Sequence, residues 1–426
     1  MAKIQKTNKN ITPFAGISFV HEEFNKSGLR KLIDNELGIR STTNDYSYSN
    51  LIGNFFNLYL CGGECAEDIQ THFRSTLEHI PNNNVASADT LLRCYNELAT
   101  ENTTIVSLQG NEYQFNINER LNRLNINSLL LTKQLQKGKC YDFDYDNQII
   151  AHKKYGAKKT YKMNTGYFPG VATIGNKIVY VENRDGNANV KTAQDQTLER
   201  AYKLLNENGI RINRSRMDAG SYSEKIVTIV DKNSQSFYIR ANKCEAQKQQ
   251  ILQITDWKTV EINFINYQVA SIPFTNFLAD RNFRLVVMRE KTNDPQLNLF
   301  EGEKFNYRCI LTNDYQSTEK EVIEYYNQRG ASEKTFDIQN NDFGWNRLPT
   351  SNMGANTAYL ILTAMLKNFY NYIVKKVSEV FDDILPSSRL KRFIFRFISV
   401  AGHYVKQARQ WTLRLYTDRP YEKLFG

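Results

Sequence analysis

Several catalytic signatures are missing from these 426 residues. There is no GxSxG elbow, no HExxH helix, no Walker loop and no dinucleotide fingerprint, which removes the hydrolases, zincins, P-loop enzymes and oxidoreductases built on them. A membrane-length apolar run is missing too. The longest, AYLILTAMLKNFYNYIV, carries Lys367 and Asn368 in its interior and alternates with helical period, so it reads as a buried helix and no membrane partner is expected. No apolar stretch follows the basic N-terminus MAKIQKTNKN to make a signal peptide, so a cytoplasmic protein is expected. The six cysteines fit a reducing compartment. Cys61 and Cys65, with His72 and His79 beyond them, match no standard zinc spacing and are expected in the core. Repeats and low-complexity tracts are absent as well.

What the chain does have is positive charge and a substantial apolar fraction. Lysine plus arginine number 55 against 45 acids, a formal charge of +10, which suits a polyanion such as nucleic acid. Hydrophobic residues make up 41%, enough for a large core spread over about two or three domains. Residues 1–137 are helical in pattern and form an expected all-α N-terminal DNA-binding domain. There Ser87 and Asp89 cap a helix bearing Arg93, which fits either a helix-turn-helix or a plain helical hairpin.

At Cys140 the period changes to two. YDFDYDNQII, GYFPGVATIG and NKIVYVENR read as strands, followed by a helix ending at Gly209, the strand IRINRSRMD, the helix SEKIVTIVDK and the strand SFYIRA. Three strands, a helix, a strand, a helix and a strand is the order of a ribonuclease H-like fold, here over 138–240. Residues 241–320 are again strand-rich and read as a β-rich insertion. The span 321–426 returns to helix with STEKEVIEYYNQRGASEKTFDIQNN and ends in a helical, basic C-terminal region. The expected class is α/β, a ribonuclease H-like core interrupted by that insertion.

Alternation in YDFDYD puts Asp142, Asp144 and Asp146 on one strand face and Tyr141, Phe143 and Tyr145 on the other. Like charges on one face of an interior strand repel, and a bound cation explains them. Asp218 ends the fourth strand, where ligands of open α/β sheets bind, and Gly220 permits a sharp turn beside it. Tyr326, Arg329 and Glu333 follow at spacings of three and four, one face of one helix. Three carboxylates suit two Mg²⁺ ions, Mn²⁺ substituting, about 3.5 to 4 Å apart, for phosphodiester hydrolysis and strand transfer.

In this order YDFDYD, GYFPGVA, ENRDGNANVK, RMDAGSYS, FYIRA, YYNQRGASEKTFD and NDFGWNRLP resemble the DDE transposases of bacterial insertion sequences, in the branch with a Tyr-Arg-Glu-Lys signature. The resemblance spans nearly the whole chain. It implies catalytic, metal-holding acids at Asp144, Asp218 and Glu333, with Asp142 and Asp146 as alternatives for the first because Asp146 stands where relatives carry threonine. It implies phosphate contacts from Tyr326 and Arg329, and it places Asn340 where the signature lysine is expected, with Lys334 nearby. It further implies cut-and-paste transposition by a dimer or larger assembly on double-stranded DNA, with terminal inverted repeats and target as partners in a nucleoid-associated protein. The other classes are a transposase-derived DNA-binding protein without catalysis and a ribonuclease H-like nuclease unconnected with transposition.

Further DNA contacts are expected from Lys153, Lys154, Lys158, Lys159 and Lys162 in HKKYGAKKTYK, and from Arg184, Asn187 and Lys191 in ENRDGNANVK. Trp345 reads as core or as a stacking platform for a flipped base. Gln296, Leu297, Leu299 and Phe300 form QLNLF in a polar loop, resembling the pentapeptide by which bacterial proteins dock on the replication sliding clamp.

Overall fold

The computed structural model describes residues 3–4, 11–40, 46–107, 109–241, 245–278, 280–291 and 305–425. The QLNLF segment lies outside the described residues. The protein is mixed α/β, organised on one eleven-stranded sheet.

The first two strands, β1 (Asn102–Val106) and β2 (Glu112–Asn116), form a hairpin, and β3 (Cys140–Asn147) follows. Three short strands make a separate small sheet: β4 (Ile150–Ala151), β5 (Lys158–Lys159) and β6 (Thr165–Tyr167). Then come β7 (Gly170–Ile174), β8 (Lys177–Arg184), β9 (Arg211–Met217) and β10 (Ser234–Ala241). The 241–320 segment contributes β11 (Lys258–Ile262), β12 (Ile265–Phe274), β13 (Phe283–Lys291) and β14 (Phe305–Thr312). The large sheet runs β1-β2-β8-β7-β3-β9-β10-β14-β13-β12-β11. Within it the five strands β8-β7-β3-β9-β10 have β3 in their centre, antiparallel to β7 and parallel to β9. The later strands continue the same sheet beyond β10, with β14 antiparallel to it and each further strand antiparallel to the one before.

Alternation in β3 sends Phe143 and Tyr145 into a core built with the helices Gln194–Glu207 and Glu224–Asn233. A second core joins the N-terminal helices to Val171, Ile178 and Val181 of the sheet through the helix Met353–Ser378. That long helix is the apolar run AYLILTAMLKNFYNYIV; its Asn368 donates to the Ile178 carbonyl at 2.8 Å, and its Lys367 to the Asn176 carbonyl. Among the described residues no helix is long and apolar enough to cross a membrane.

Three expectations change. The N-terminal region is not all-α: β2 pairs through Phe115 and Asn116 with Arg184 and Asn183 of β8, because the short NTTIV and EYQFN runs find an open sheet edge that no local pattern announces. The C-terminal region is not helical throughout: Leu390–Phe393 continues as a wider turn to Ile398, and β15 (Gly402–Gln407) pairs with β16 (Gln410–Leu415). Cys61 is buried as expected, but Cys65 is exposed, since the helix before it stops at Leu60.

Candidate active site

Each of the three β3 aspartates meets an arginine, two of them from β9 and the third from the 3₁₀ turn Gln328–Gly330. Across the parallel pairing with β9, Asp142 lies opposite Arg214 and Asp144 opposite Arg216. Asp142 accepts two bonds from Arg214, at 3.0 and 2.6 Å. Asp144 accepts two from Arg216, at 2.6 and 2.7 Å, and both residues are buried. The two guanidiniums lie over the Tyr325 ring, 3.9 and 4.6 Å from its centre. The cation that the acidic strand face called for is therefore, at these two positions, the neighbouring strand's own arginine.

Asp146 is different. One step beyond the last register pair, Tyr145 with Met217, it reaches the level of Asp218, where β9 has ended. Burial pushes the Asp146 carboxyl up to about 6, the Asp218 charge adds to this, and Arg329 opposes it. Arg329 Nη2 stands 2.8 Å from Asp146 Oδ2 in an ion pair. Asp218 opens a single 3₁₀ turn, Ala219–Ser221; its Oδ1 accepts from Gly220 N at 3.1 Å and Ser221 Oγ at 3.4 Å. Tyr326 donates to the Met217 carbonyl at 3.3 Å, and burial pushes its phenol up to about 12.

Asp146, Asp218, Tyr326 and Arg329 are thus brought together, while Glu333 is not. The expected single helix is two helices, Glu319–Asn327 and Ala331–Asp342, separated by a 3₁₀ turn at Gln328–Gly330. The break removes the shared face assumed from the spacing, and Glu333 is exposed in the first turn of the second helix. Among the described residues no group of three or more His, Cys, Asp or Glu is arranged to hold a metal ion. Lys334 lines a cavity of about 210 Å³ with Thr335, Lys367 and Tyr370.

Of the expected DNA contacts, Lys153, Lys154, Lys158, Lys159, Lys162, Asn187 and Lys191 are exposed. Tyr155 and Tyr161 project beside the lysines, 93% and 68% exposed. Arg184 is a correction. It is fully buried, bonded to Tyr145 OH at 3.2 Å and Thr197 Oγ1 at 3.1 Å, with its guanidinium 4.7 Å from the Phe115 ring centre. The strand β2 covers the edge that would have exposed it. Trp345 is also fully buried, its indole N–H donating to Thr363 Oγ1 at 2.9 Å, so it packs in the core. The sequence reading missed Arg214 and Arg216, although their alternation in RINRSRMD mirrors that of the aspartates. It also missed Glu182, fully buried, which takes bonds from Arg200, Tyr180 and Thr197; nothing local announced it.

A family profile described as Transposase DDE domain group 1 matches residues 2–426. The chain belongs to that transposase family. A solved piggyBac transposase synaptic complex with hairpin DNA is similar over 92% of this chain and 80% of that one, at 12% identity and a TM-score of 0.43. No curated protein matches the chain.

Proposed function

We propose that this transposase cuts DNA at the ends of a mobile element and joins them to target DNA, with metal ions held by Asp146, Asp218 and Glu333. The five neighbouring strands β8-β7-β3-β9-β10, with β3 central, support a ribonuclease H-like core. The observation that carries the site is the position of Asp146 one residue past the Tyr145–Met217 pair, level with Asp218 at the end of the neighbouring strand. We place the first acid at Asp146 instead of Asp144, because Arg216 occupies both oxygens of Asp144 inside the protein.

The donor set fits a hard divalent cation. Two close carboxylates, one pushed toward neutrality, gain from a positive charge between them, and their oxygens suit Mg²⁺ or Mn²⁺. When bound, two such ions would supply an activated water and charge stabilisation at the leaving oxygen. The chain's own groups do the rest. Arg329 neutralises Asp146 in the absence of DNA and turns to a phosphate oxygen when substrate arrives. Tyr326, anchored on the Met217 carbonyl, holds the segment that carries Arg329 against β9. The 3₁₀ turn at Gln328–Gly330 lets the following helix re-aim Glu333 toward the pair. The exposed lysines between 153 and 162 take the DNA backbone, and a dimer or larger assembly pairs two ends.

The test incubates the protein and Mg²⁺ with duplex DNA copied from the flanks of its own gene. Wild type nicks at the element boundary and Asp218→Ala does not. Equal cutting by Asp218→Ala would remove this site from consideration.

A further inference from the structure

Residues 389–426 hold nine lysines and arginines against two acids, a surplus of seven in a chain whose whole surplus is ten. Three of those nine, Arg389, Arg396 and Arg419, are ion-paired to aspartates. Lys406, Arg409 and Arg414 sit on the two-stranded ribbon β15–β16, which stands apart from the large sheet.

The ribbon has two unlike faces. Tyr404, Trp411, Leu413 and Leu415 share one, which lines a cavity of about 930 Å³ with His21 and Arg30; Tyr404 donates to Ser18 Oγ at 2.6 Å and roots the ribbon there. The other face presents Gln407, Gln410 and Arg414, all exposed. With Arg409 at the tip, none of these four makes a side-chain hydrogen bond or ion pair among the described residues.

The tip is strained. Ala408 and Arg409 have φ of +46° and +67°. Tight two-residue turns of this kind normally take Asn-Gly, and an ordinary L-residue there costs about 1 to 2 kcal/mol. Such strain persists mainly where function needs the geometry, and here it thrusts a long cationic side chain outward.

The width, charge and residue types fit one partner. The major groove of B-form DNA admits a two-stranded ribbon, whereas that of A-form RNA is too narrow for side chains to read. Arginine pairs bidentately with guanine O6 and N7, and glutamine with adenine N6 and N7. We propose that the ribbon Gly402–Leu415 enters the major groove of duplex DNA and reads base edges with Gln407, Arg409, Gln410 and Arg414. This sequence-reading contact is separate from the carboxylate site and rests on the reading of the chain as an enzyme acting on DNA ends.

The experiment measures fluorescence anisotropy of the full chain on two duplexes, one copied from the flanks of its gene and one scrambled. Wild type prefers the flanking duplex. Arg409→Ala with Arg414→Ala weakens binding to that duplex roughly 10- to 100-fold while scrambled binding moves only a few-fold. Arg409→Lys, which keeps the charge but not the fork, loses preference yet keeps scrambled affinity. Methylation of guanine N7 interferes with wild type and no longer with the double variant. The idea is overturned by a wild type without preference, by a double variant that keeps it, or by equal loss on both duplexes. Asp218→Ala, run alongside, should bind both duplexes normally without cutting. If it cuts while the ribbon variants behave as stated, only the catalytic reading falls.

Discussion

Three aspartates on one strand face meet different chemistry because the partner strand stops. Where β9 still runs, it supplies Arg214 and Arg216; where it ends, Asp146 faces Asp218. Two substitutions separate the roles. Asp144→Asn leaves the buried Arg216 guanidinium without its counter-charge, a loss of about 3 to 5 kcal/mol that denaturant titration would register. Asp146→Asn should fold and fail to cut. Its stability carries a sign as well. With a folded value of about 6 against an ordinary 3.8, the native state binds the proton more tightly, so stability falls as pH rises across that window. The asparagine variant should therefore be more stable than wild type at pH 7, by at most about 3 kcal/mol, and lack that slope. If Asp146→Asn cuts like wild type and a folded Asp144→Asn does not, Asp144 is the first acid.

At the scale of elements, two pieces bear on the proposed handling of DNA. The small sheet β4-β6-β5 and its loops expose Lys153, Lys158, Lys159 and Lys162 with Tyr155 and Tyr161, and also Lys154, whose ammonium donates to the Pro349 carbonyl at 2.5 Å. Replacing the lysines by alanine should weaken binding to any duplex alike. The slope of log affinity against log salt should shrink by about 0.9 for each phosphate that is no longer neutralised, and an unchanged slope would exclude this small sheet from the interface. The second piece is the break at Gln328–Gly330. A Cβ built on Gly330 meets nothing within 4 Å, so Gly330→Ala fits and favours helix by about 1 kcal/mol. We expect unfolding at equal or higher denaturant together with slower single-turnover cleavage, because the stiffened turn resists re-aiming Glu333. Unchanged cleavage would mean that Glu333 reaches its place without this turn.

For the whole molecule, legibility followed range. The order of the large-sheet strands from Cys140 to Ala241 was readable because period-two alternation and turn residues are local signals, whereas YDFDYDNQII and GYFPGVATIG, each read as one strand, are both divided between the large sheet and the small sheet β4-β6-β5. The 11-stranded continuity, the β1–β2 hairpin on β8 and the pairing of Asp144 with Arg216 depend on partners tens of residues away, which no local period encodes. The first acid was legible only as a set of three, and the single helix face expected for Tyr326, Arg329 and Glu333 was not legible as two helices, because the spacing runs across the 3₁₀ turn at Gln328–Gly330. The long helix shows the same limit: its apolar run was plain, but not what Lys367 meets. Fully buried against the β7–β8 turn, Lys367 has its ammonium pulled down to about 7, first by burial and then by Lys177. Its ordinary value is 10.5, so the unfolded chain holds more protons between pH 7 and 10.5, and this residue makes stability rise with pH across that interval. Lys367→Met keeps the stem and removes the charge, at the cost of the bond to the Asn176 carbonyl. The variant should gain roughly 1 to 3 kcal/mol over wild type at pH 7, with the gap closing toward pH 10 in denaturant titrations. A gap that stays constant with pH would show that Lys367 is charged in the folded protein throughout, and that the seam between the helix and the sheet admits water.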